Sequence, residues 1–124
     1  MGRVAERCVE LMIGGISVRG VELDKRTGCA HYRSEIDIVA IKFNCCRTYY
    51  ACLYCHELES NHQACTWPRA QFDAKAVLCG ACGTELTIGE YLDCKAACPV
   101  CGASFNPSCA LHYHWYFEIP AVPG

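Results

Sequence analysis

The stretch CLYCHELESNH, which runs from Cys52 to His62, contains more potential metal ligands than one ion needs. Cys52 and Cys55 form a Cys-x-x-Cys pair, which is half of a common tetrahedral zinc site. His56 follows directly, and His62 lies six residues further along. Since His56 is the neighbour of Cys55, it points elsewhere and can serve a second ion together with His62. The stretch therefore predicts two adjacent metal sites with interleaved ligands.

Thirteen cysteines in a chain of 124 residues indicate stabilisation by metal ions or by disulfides. The N-terminal stretch MGRVAERCVELMIGGISVRG has only a short apolar run and no cleavage site of the secretory type. We therefore expect a compartment in which thiols stay reduced, namely the cytoplasm, where cysteine clusters bind metal. The odd number of cysteines favours metal as well, because complete disulfide pairing would leave one thiol over.

Eight donors between residues 29 and 62 are enough for two zinc sites. Cys29 and His31, two apart in an extended segment, face the same side and are predicted to complete the site that the Cys-x-x-Cys pair begins. The resulting sets are Cys29, His31, Cys52 and Cys55 for one ion and Cys45, Cys46, His56 and His62 for the other. Cys45 and Cys46 can share an ion only if the chain turns there, since neighbours on a regular strand face opposite ways. The alternative places one of these two cysteines on each ion.

A third site is predicted from two further Cys-x-x-Cys pairs, CGAC and CPVC. Two such pairs supply the four thiolates of a closed structural zinc site, so its predicted ligands are Cys79, Cys82, Cys98 and Cys101. Cys94 lies four residues before Cys98 and is the alternative ligand. Four thiolates also suit a rubredoxin-like iron centre, which absorbs visible light where zinc is silent.

Local patterns predict three strands and one helix. Residues 16–21 and the β-branched run of residues 36–43 have the composition of strands, the second of them buried. Residues 111–119 alternate two faces and are expected to form a closing strand. Thr87 and Glu90 occupy the two positions of a capping box, which predicts a short helix. The predicted fold is a small zinc-stabilised α+β domain, with short strands and one or two short helices around three zinc sites.

The order of the ligands resembles the CHY-type zinc finger. The resemblance rests on CAHY at residues 29–32, on CC, on YYACLYCH with its following histidine, and on the two later Cys-x-x-Cys pairs. In that family twelve Cys and His ligands bind three zinc ions, so the resemblance implies three structural Zn²⁺ here. The domain that it defines spans residues 28–119, between an N-terminal segment, residues 1–27, and a C-terminal tail, residues 120–124.

More narrowly, DIVAIKFNCC, LCGAC, CPVCGASFNP and LHYHWYFE resemble the small stand-alone CHY proteins. Members of this class occur in bacteria and in the mitochondrial intermembrane space, where one is linked to the assembly of small cysteine-rich Tim chaperones. The resemblance implies a metal-stabilised protein-interaction or assembly-helper module, with the intermembrane space as the alternative compartment. The competing function is exchange of zinc or thiols with other cysteine-rich proteins. Because no RING domain follows Ile119, we do not expect ligase activity.

The charge pattern and the apolar runs argue against two other classes of partner. Lys and Arg number 11 against 13 Asp and Glu, the formal net charge is -2, and the basic residues form no stripe. No apolar run approaches the roughly 20 residues that span a bilayer. We therefore predict a protein partner and expect neither nucleic-acid nor membrane binding.

Six potential ligands have no place in the three sites: Cys8, Cys65, Cys94, Cys109, His112 and His114. We expect the last two to be hydrogen-bonded at the surface; the alternative is a fourth site that they form with Cys109. No Ser-His-Asp set, phosphate loop or carboxylate pair stands out in the sequence. Since a catalytic zinc needs an open coordination position and the three predicted sites are filled with protein ligands, we do not expect an enzyme.

Overall fold

The computed structural model describes residues 8–29, 35–60, 62–106 and 116–118 of the chain. Within these ranges the secondary structure consists of six strands and two short α-helices: β1 (Cys8–Ile13), β2 (Ile16–Val21), β3 (Val39–Phe43), β4 (Thr48–Tyr50), α1 (Leu53–Glu59), β5 (Lys75–Cys79), β6 (Glu85–Thr87) and α2 (Ile88–Asp93). A single 3-10 turn, Arg69–Gln71, precedes β5. This is the small α+β fold with short strands that the sequence predicts.

The six described strands form one curled mixed sheet in the order β1-β2-β4-β3-β5-β6. Every neighbouring pair is antiparallel except β2 and β4, which run parallel and align Val18 with Tyr49. The curl brings the turn between β1 and β2 against the turn between β5 and β6, where Gly14 contacts Gly83. The N-terminal hairpin and the Cys79 end of β5 are thus joined both through the sheet and across its turns.

Two predicted strands are confirmed. β2 spans residues 16–21 as expected. β3 is shorter than the predicted strand of residues 36–43, because Ile36, the first residue of the predicted strand, lies in a turn. β3 has a strand on each side, and two of its adjacent residues, Ala40 and Ile41, are buried on opposite faces of the sheet. A strand with both faces covered has a continuous apolar run rather than an alternating one, which explains why this strand was recognisable from composition.

The elements β1, β4, β5, β6 and α1 have no counterpart among the sequence predictions. For β1 the overlooked signal is the pair Gly14 and Gly15, whose φ angles are 59° and 82°. Two successive residues with positive φ form the tight turn that suits a two-residue β-hairpin. β4 and β6 have three residues each, which is too short for a periodic pattern.

The predicted capping box of α2 is confirmed. The backbone N–H of Glu90 donates to Thr87 Oγ1 at 3.0 Å, and the N–H of Thr87 donates to Glu90 Oε1 at 2.8 Å. The helix begins at Ile88, which is buried together with Tyr91. These two side chains attach the helix to the main core cluster.

Buried side chains form two clusters on the two faces of the sheet. Adjacent residues such as Val77 and Leu78 belong to different clusters, as expected for neighbours on a strand. The smaller cluster is largely aliphatic, with Tyr49 as its buried aromatic residue, whereas the larger one combines the other buried aromatic rings with thiols. Its buried thiols are those of Cys29, Cys52, Cys55, Cys79 and Cys98. Potential metal ligands are therefore part of the core of this small domain.

Only three residues of the predicted closing strand, 116–118, are described by the structure; residues 111–115 and Ile119 lie outside the described ranges. Phe117 forms a parallel bridge with Trp67 and is buried, whereas Glu118 is exposed. The alternation predicted for the strand holds for these two side chains. The domain limits predicted at residues 27/28 and 119/120 stay predictions. No helix in the described part of the chain has the length and apolar character needed to span a bilayer.

Candidate metal sites

Cysteine and histidine side chains converge in three places within the described ranges. Site 1 contains Cys29, Cys52 and Cys55; site 2 contains Cys45, Cys46, His56 and His62; site 3 contains Cys79, Cys82, Cys98 and Cys101. In each site the candidate ligand atoms lie within 4.8 Å of one another. His31, the fourth predicted ligand of site 1, lies outside the described residues, as do Cys109, His112 and His114. The structure thus brings together eleven of the twelve predicted ligands, in the predicted sets.

The spacing of the donor atoms fits tetrahedral zinc. With Zn–S bonds of about 2.3 Å, two sulfurs on one ion are about 3.8 Å apart, and two imidazole nitrogens are about 3.3 Å apart. Five Sγ–Sγ pairs, at least one in each site, are between 3.6 and 3.8 Å apart, and the Nε2 atoms of His56 and His62 are 3.2 Å apart. Only the Cys45 Sγ to His56 Nε2 distance, 3.2 Å, is shorter than the roughly 3.6 Å that a shared zinc would set.

Site 1 is built where α1 begins. Cys52 is the N-cap of the helix, so its Sγ accepts from the backbone N–H of Cys55 at 3.4 Å and the two thiols face each other at 3.6 Å. The N–H of Val21, at the end of β2, donates to Cys55 Sγ at 3.3 Å. Cys29 Sγ lies 3.7 Å from Cys52 Sγ, and all three thiols are buried.

Two thiols of site 1, those of Cys52 and Cys55, have raised pKa values. A hydrogen bond with Cys29, followed by burial, raises the pKa of the Cys55 thiol to about 12. Hydrogen bonds with Cys29 and Cys55, and then burial, raise the pKa of the Cys52 thiol as well. Three buried thiols in contact are unfavourable as separate anions, and a divalent cation among them would remove that penalty.

Site 2 begins in the tight turn between β3 and β4. The N–H of Arg47 donates to the Phe43 carbonyl at 2.7 Å, so the chain reverses over Cys45 and Cys46. This turn lets the two neighbouring thiols converge, with their sulfurs 3.8 Å apart. Sequence reasoning left open whether these cysteines face one ion or two, and the structure places both in site 2.

His56, which follows Cys55 directly on α1, is the ligand candidate that this helix contributes to site 2. Its side chain is fully buried and its ring stacks on Phe43 with centroids 4.4 Å apart. Burial lowers the pKa of His56, which favours the neutral imidazole that binds metal. With Nε2 directed at the site, Nδ1 lies 3.4 Å from Ser60 Oγ, which can accept the Nδ1 proton when Nε2 binds a metal. Ser60, the C-cap residue of α1, was not predicted.

Cys65 lies beside site 2 without belonging to its ligand set. Its backbone N–H donates to Cys45 Sγ, and its own thiol is exposed. The sequence cannot show which backbone N–H donates a hydrogen bond to a ligand sulfur, since almost every residue has a backbone N–H. That Cys65 belongs to none of the three ligand sets stays a prediction.

Site 3 consists of two matching Cys-x-x-Cys turns. In the first, which follows β5, the N–H of Gly83 donates to the Cys79 carbonyl at 2.8 Å; in the second, the N–H of Gly102 donates to the Cys98 carbonyl at 2.9 Å. Both glycines have positive φ, 75° and 81°, which favours glycine at these positions. The sulfur of Cys101 lies 3.8 Å from that of Cys79.

The two halves of site 3 differ in their surroundings. Cys79 and Cys98 are buried, whereas Cys82 and Cys101 are exposed. Burial raises the pKa of the Cys79 thiol to about 12. Slight burial also raises the pKa of the Cys82 thiol, but hydrogen bonds from the side chain and backbone of Thr84 outweigh it and lower that pKa to about 7. Cys94, the alternative ligand, caps α2 and is not among the four thiols that converge here.

A small domain with cysteine and histidine clusters in its core, set on helix starts and tight turns, has the construction of a zinc finger protein. Comparison with known proteins agrees. The family model described as CHY zinc finger matches residues 29–107, and the chain belongs to this family.

Related proteins are known from fungi. Helper of Tim protein 13 of Saccharomyces cerevisiae is 38% identical over 112 residues, which cover 84% of this chain and 92% of the relative. An uncharacterized protein of Schizosaccharomyces pombe is 39% identical over 82% of this chain and 89% of its own length. Helper of Tim protein 13 of Kluyveromyces lactis is 36% identical over 81% of this chain and 87% of its own length.

Proposed function

We propose that the protein is a non-catalytic module that holds three structural Zn²⁺ ions and assists other proteins through contacts. The observation that carries the zinc assignment is the sulfur spacing of 3.6 to 3.8 Å in all three sites, which is the spacing that tetrahedral zinc sets. His31 is proposed to complete site 1. Zinc would supply the bonds that hold thiolates together within the core.

A structural role fits the coordination better than catalysis does. Sites 2 and 3 each offer four protein ligands, so a tetrahedral ion there would have no position left for water or substrate. With His31, site 1 is complete as well, and its described thiols are buried away from solvent. The predicted absence of enzyme activity is therefore retained as part of the proposal.

Native mass spectrometry tests the metal assignment. The expected result is three zinc ions per chain with no visible absorption, since iron with four thiolates is coloured. Two ions would contradict the grouping of Cys45 and Cys46 in one site. Four ions would assign ligand roles to His112 and His114, which we expect at the surface.

The proposed partners are proteins of the Tim class. Two relatives carry the name Helper of Tim protein 13, which supports an assembly-helper role and moves the proposed compartment from the cytoplasm to the mitochondrial intermembrane space. Tyr54 and Leu58, one helical turn apart on α1, are exposed large apolar side chains and offer a contact surface.

The helper role can be tested in cells that lack the protein. Native gel electrophoresis of mitochondria should show less assembled Tim complex, and the wild-type chain should restore it. A variant with Tyr54→Ser and Leu58→Ser should retain zinc and restore assembly poorly, whereas Val100→Ser, at an exposed apolar site elsewhere, serves as the matched control. Normal Tim assembly without the protein would contradict the helper role and leave the zinc assignment standing.

Exchange of zinc or thiols is the second candidate function. It is favoured by the exposed thiols of Cys65, Cys82 and Cys101, which a partner protein can reach. We prefer the structural role because each proposed site is complete without a spare cysteine. A bulky alkylating reagent, which reaches zinc-bound sulfurs less readily than a small oxidant does, should then label at most Cys8, Cys65, Cys94 and Cys109 and leave all zinc bound. Loss of zinc during labelling would favour exchange instead.

A further inference from the structure

Exposure of the ligand sulfurs differs sharply among the three sites. Every described thiol of site 1 is buried, and those of site 2 are half-buried. Site 3 alone among these sites places two sulfurs at the surface, those of Cys82 and Cys101, while Cys79 and Cys98 are buried behind them. Small reagents in the solvent can therefore reach site 3 from the side of Cys82 and Cys101, and not from the buried side of Cys79 and Cys98.

We propose that Cys82 and Cys101 form an oxidation site, at which hydrogen peroxide joins the two sulfurs in a disulfide and expels the zinc of site 3. This inference rests on the proposed occupancy of site 3 by zinc. Bound thiols are deprotonated, and oxidation selects thiolates that solvent can reach. The two exposed sulfurs meet both conditions, whereas the buried pair meets only the first.

The chemical step balances with peroxide as the oxidant. The Cys82 thiolate attacks hydrogen peroxide, forms a sulfenic acid and releases hydroxide. The Cys101 thiolate then attacks the sulfenic sulfur, so the disulfide forms and a second hydroxide leaves. Two thiolates have lost two electrons, and one peroxide has gained them. Cys79 and Cys98 alone would then remain as donors, too few to hold the ion, which would be released as Zn²⁺.

Geometry favours this pair over other pairings in the site. Cys79 ends β5 and Cys98 is fixed by its hydrogen bond with the Ala103 carbonyl, so the two buried cysteines are anchored by the backbone. Cys82 and Cys101 are the last cysteines of their turns, and each precedes a glycine with positive φ. Their sulfurs lie within 4.8 Å, so a short movement of the two turns brings them to bonding distance.

Because the oxidisable sulfurs belong to site 3, sites 1 and 2 should keep their ions. Oxidation is therefore expected to loosen the two Cys-x-x-Cys turns of site 3, together with the contact between Gly83 and Gly14, and to leave sites 1 and 2 assembled. Peroxide would convert the protein from a three-zinc to a two-zinc form.

The experiment begins with protein that native mass spectrometry shows to hold three zinc ions. Hydrogen peroxide is added in increasing amounts, released zinc is followed with a chromogenic chelator, and disulfides are mapped by peptide mass spectrometry without reduction. The expected result is release of a first single equivalent of zinc together with a Cys82–Cys101 disulfide. Thiol reductant and zinc should restore the three-zinc form.

Two variants sharpen the test. Cys101→His keeps a fourth zinc donor but removes the second thiol, so zinc release should slow on the order of tenfold and no disulfide should form at Cys82. Cys65→Ser removes an exposed thiol outside site 3 and should leave the release unchanged. If Cys101→His does not load three ions, the disulfide map of the wild-type protein decides.

A first disulfide within site 1 or site 2, or between Cys79 and Cys82, would overturn the inference. So would retention of all zinc at a peroxide concentration that oxidises Cys65. A starting protein with fewer than three zinc ions would instead contradict the proposed function, so the two failures are distinguishable.

Discussion

Gly14, in the turn between β1 and β2, lies directly against Gly83, in the turn that follows Cys82. A Cβ atom at Gly14 would stand 2.4 Å from the Gly83 carbonyl oxygen, too close for any neighbour that cannot move. The contact is between two backbones, so no side-chain rotation can relieve it. The first hairpin thus supports the turn that carries an exposed ligand of site 3.

Gly14→Ala should destabilise the protein by about 3 kcal/mol or more, from the clash with Gly83 and from a φ of 59° that disfavours a side chain. Gly15→Ala is the matched control, because Gly15 has a φ of 82° but nothing within 4 Å of the added Cβ. It should cost only about 1–2 kcal/mol. Thermal unfolding of zinc-loaded protein measures both. Equal effects would mean that the backbone contact contributes nothing.

His56→Ala should remove one zinc and destabilise the remaining two-zinc fold further, since it leaves a cavity beside Phe43 worth about 2–5 kcal/mol. His62→Ala should also cost the ion of site 2, but the exposed His62 side chain leaves little packing behind when removed. Zinc stoichiometry counts the lost ion in each variant, and the difference between the unfolding curves of the two variants, which should hold the same two ions, isolates the packing contribution of His56. A His56→Ala chain that keeps three ions would contradict the site 2 assignment.

Removal of zinc should unfold the domain, because five of its buried core residues are candidate ligand thiols. Binding free energy in such modules is folding free energy, on the order of 10 kcal/mol per structural zinc. A strong chelator should therefore abolish the near-ultraviolet circular dichroism, and added zinc should restore it. An unchanged spectrum after complete zinc removal would refute the structural role.

Zinc uptake should release protons. Binding requires thiolates, whereas a cysteine in the unfolded metal-free chain has a pKa of about 8.5 and stays protonated near neutral pH. Affinity should therefore weaken as the pH falls. Folding alone would not remove the protons of Cys55 and Cys79, since it raises the pKa of each thiol to about 12, so zinc binding must displace them. The count of released protons should fall as the pH rises through about 8.5. An indicator dye in weak buffer measures the release, and Cys65→Ser should leave the count unchanged.

Thr87→Ala should cost about 1 kcal/mol, because it removes the acceptor of the Glu90 N–H at the start of α2. Zinc content should not change. Thr66→Ala, at an exposed threonine outside the helices, is the control and should have little effect on the melting temperature. A loss of zinc in the Thr87 variant would show that α2 supports site 3 more directly than its packing indicates.

The grouping of ligands could be predicted because metal spacing is local. The Cys-x-x-Cys pairs and the change of direction between Cys55 and His56 follow from the geometry of turns and helix starts. The placement of Cys45 and Cys46 could not be settled, since it depends on a reversal that the Arg47 to Phe43 hydrogen bond makes visible only in the fold.

The sheet was harder to predict than the sites. β3 is recognisable because both of its faces are buried. Three-residue strands such as β4 and β6 are stabilised by pairing with neighbouring strands and have no sequence pattern of their own. The parallel pairing of β2 with β4 depends on contacts distant in sequence, for which a single chain offers no local pattern. Support of Cys55 Sγ by the Val21 amide, and of Cys45 Sγ by the Cys65 amide, is equally invisible in the sequence.

The parallel seam between β2 and β4 has a consequence for local unfolding. Only two residue pairs align along it, Val18 with Tyr49 and Arg19 with Tyr50, whereas the β1–β2 hairpin on its outer side aligns six. Such a short ladder opens more readily than its neighbours, so the hairpin should detach as a cooperative unit. The bond from the Val21 N–H to Cys55 Sγ ties the end of β2 to α1, and a thiolate held by zinc accepts it more strongly than a thiol does. In hydrogen exchange, amide protection of the first hairpin should therefore rise and fall with occupancy of site 1.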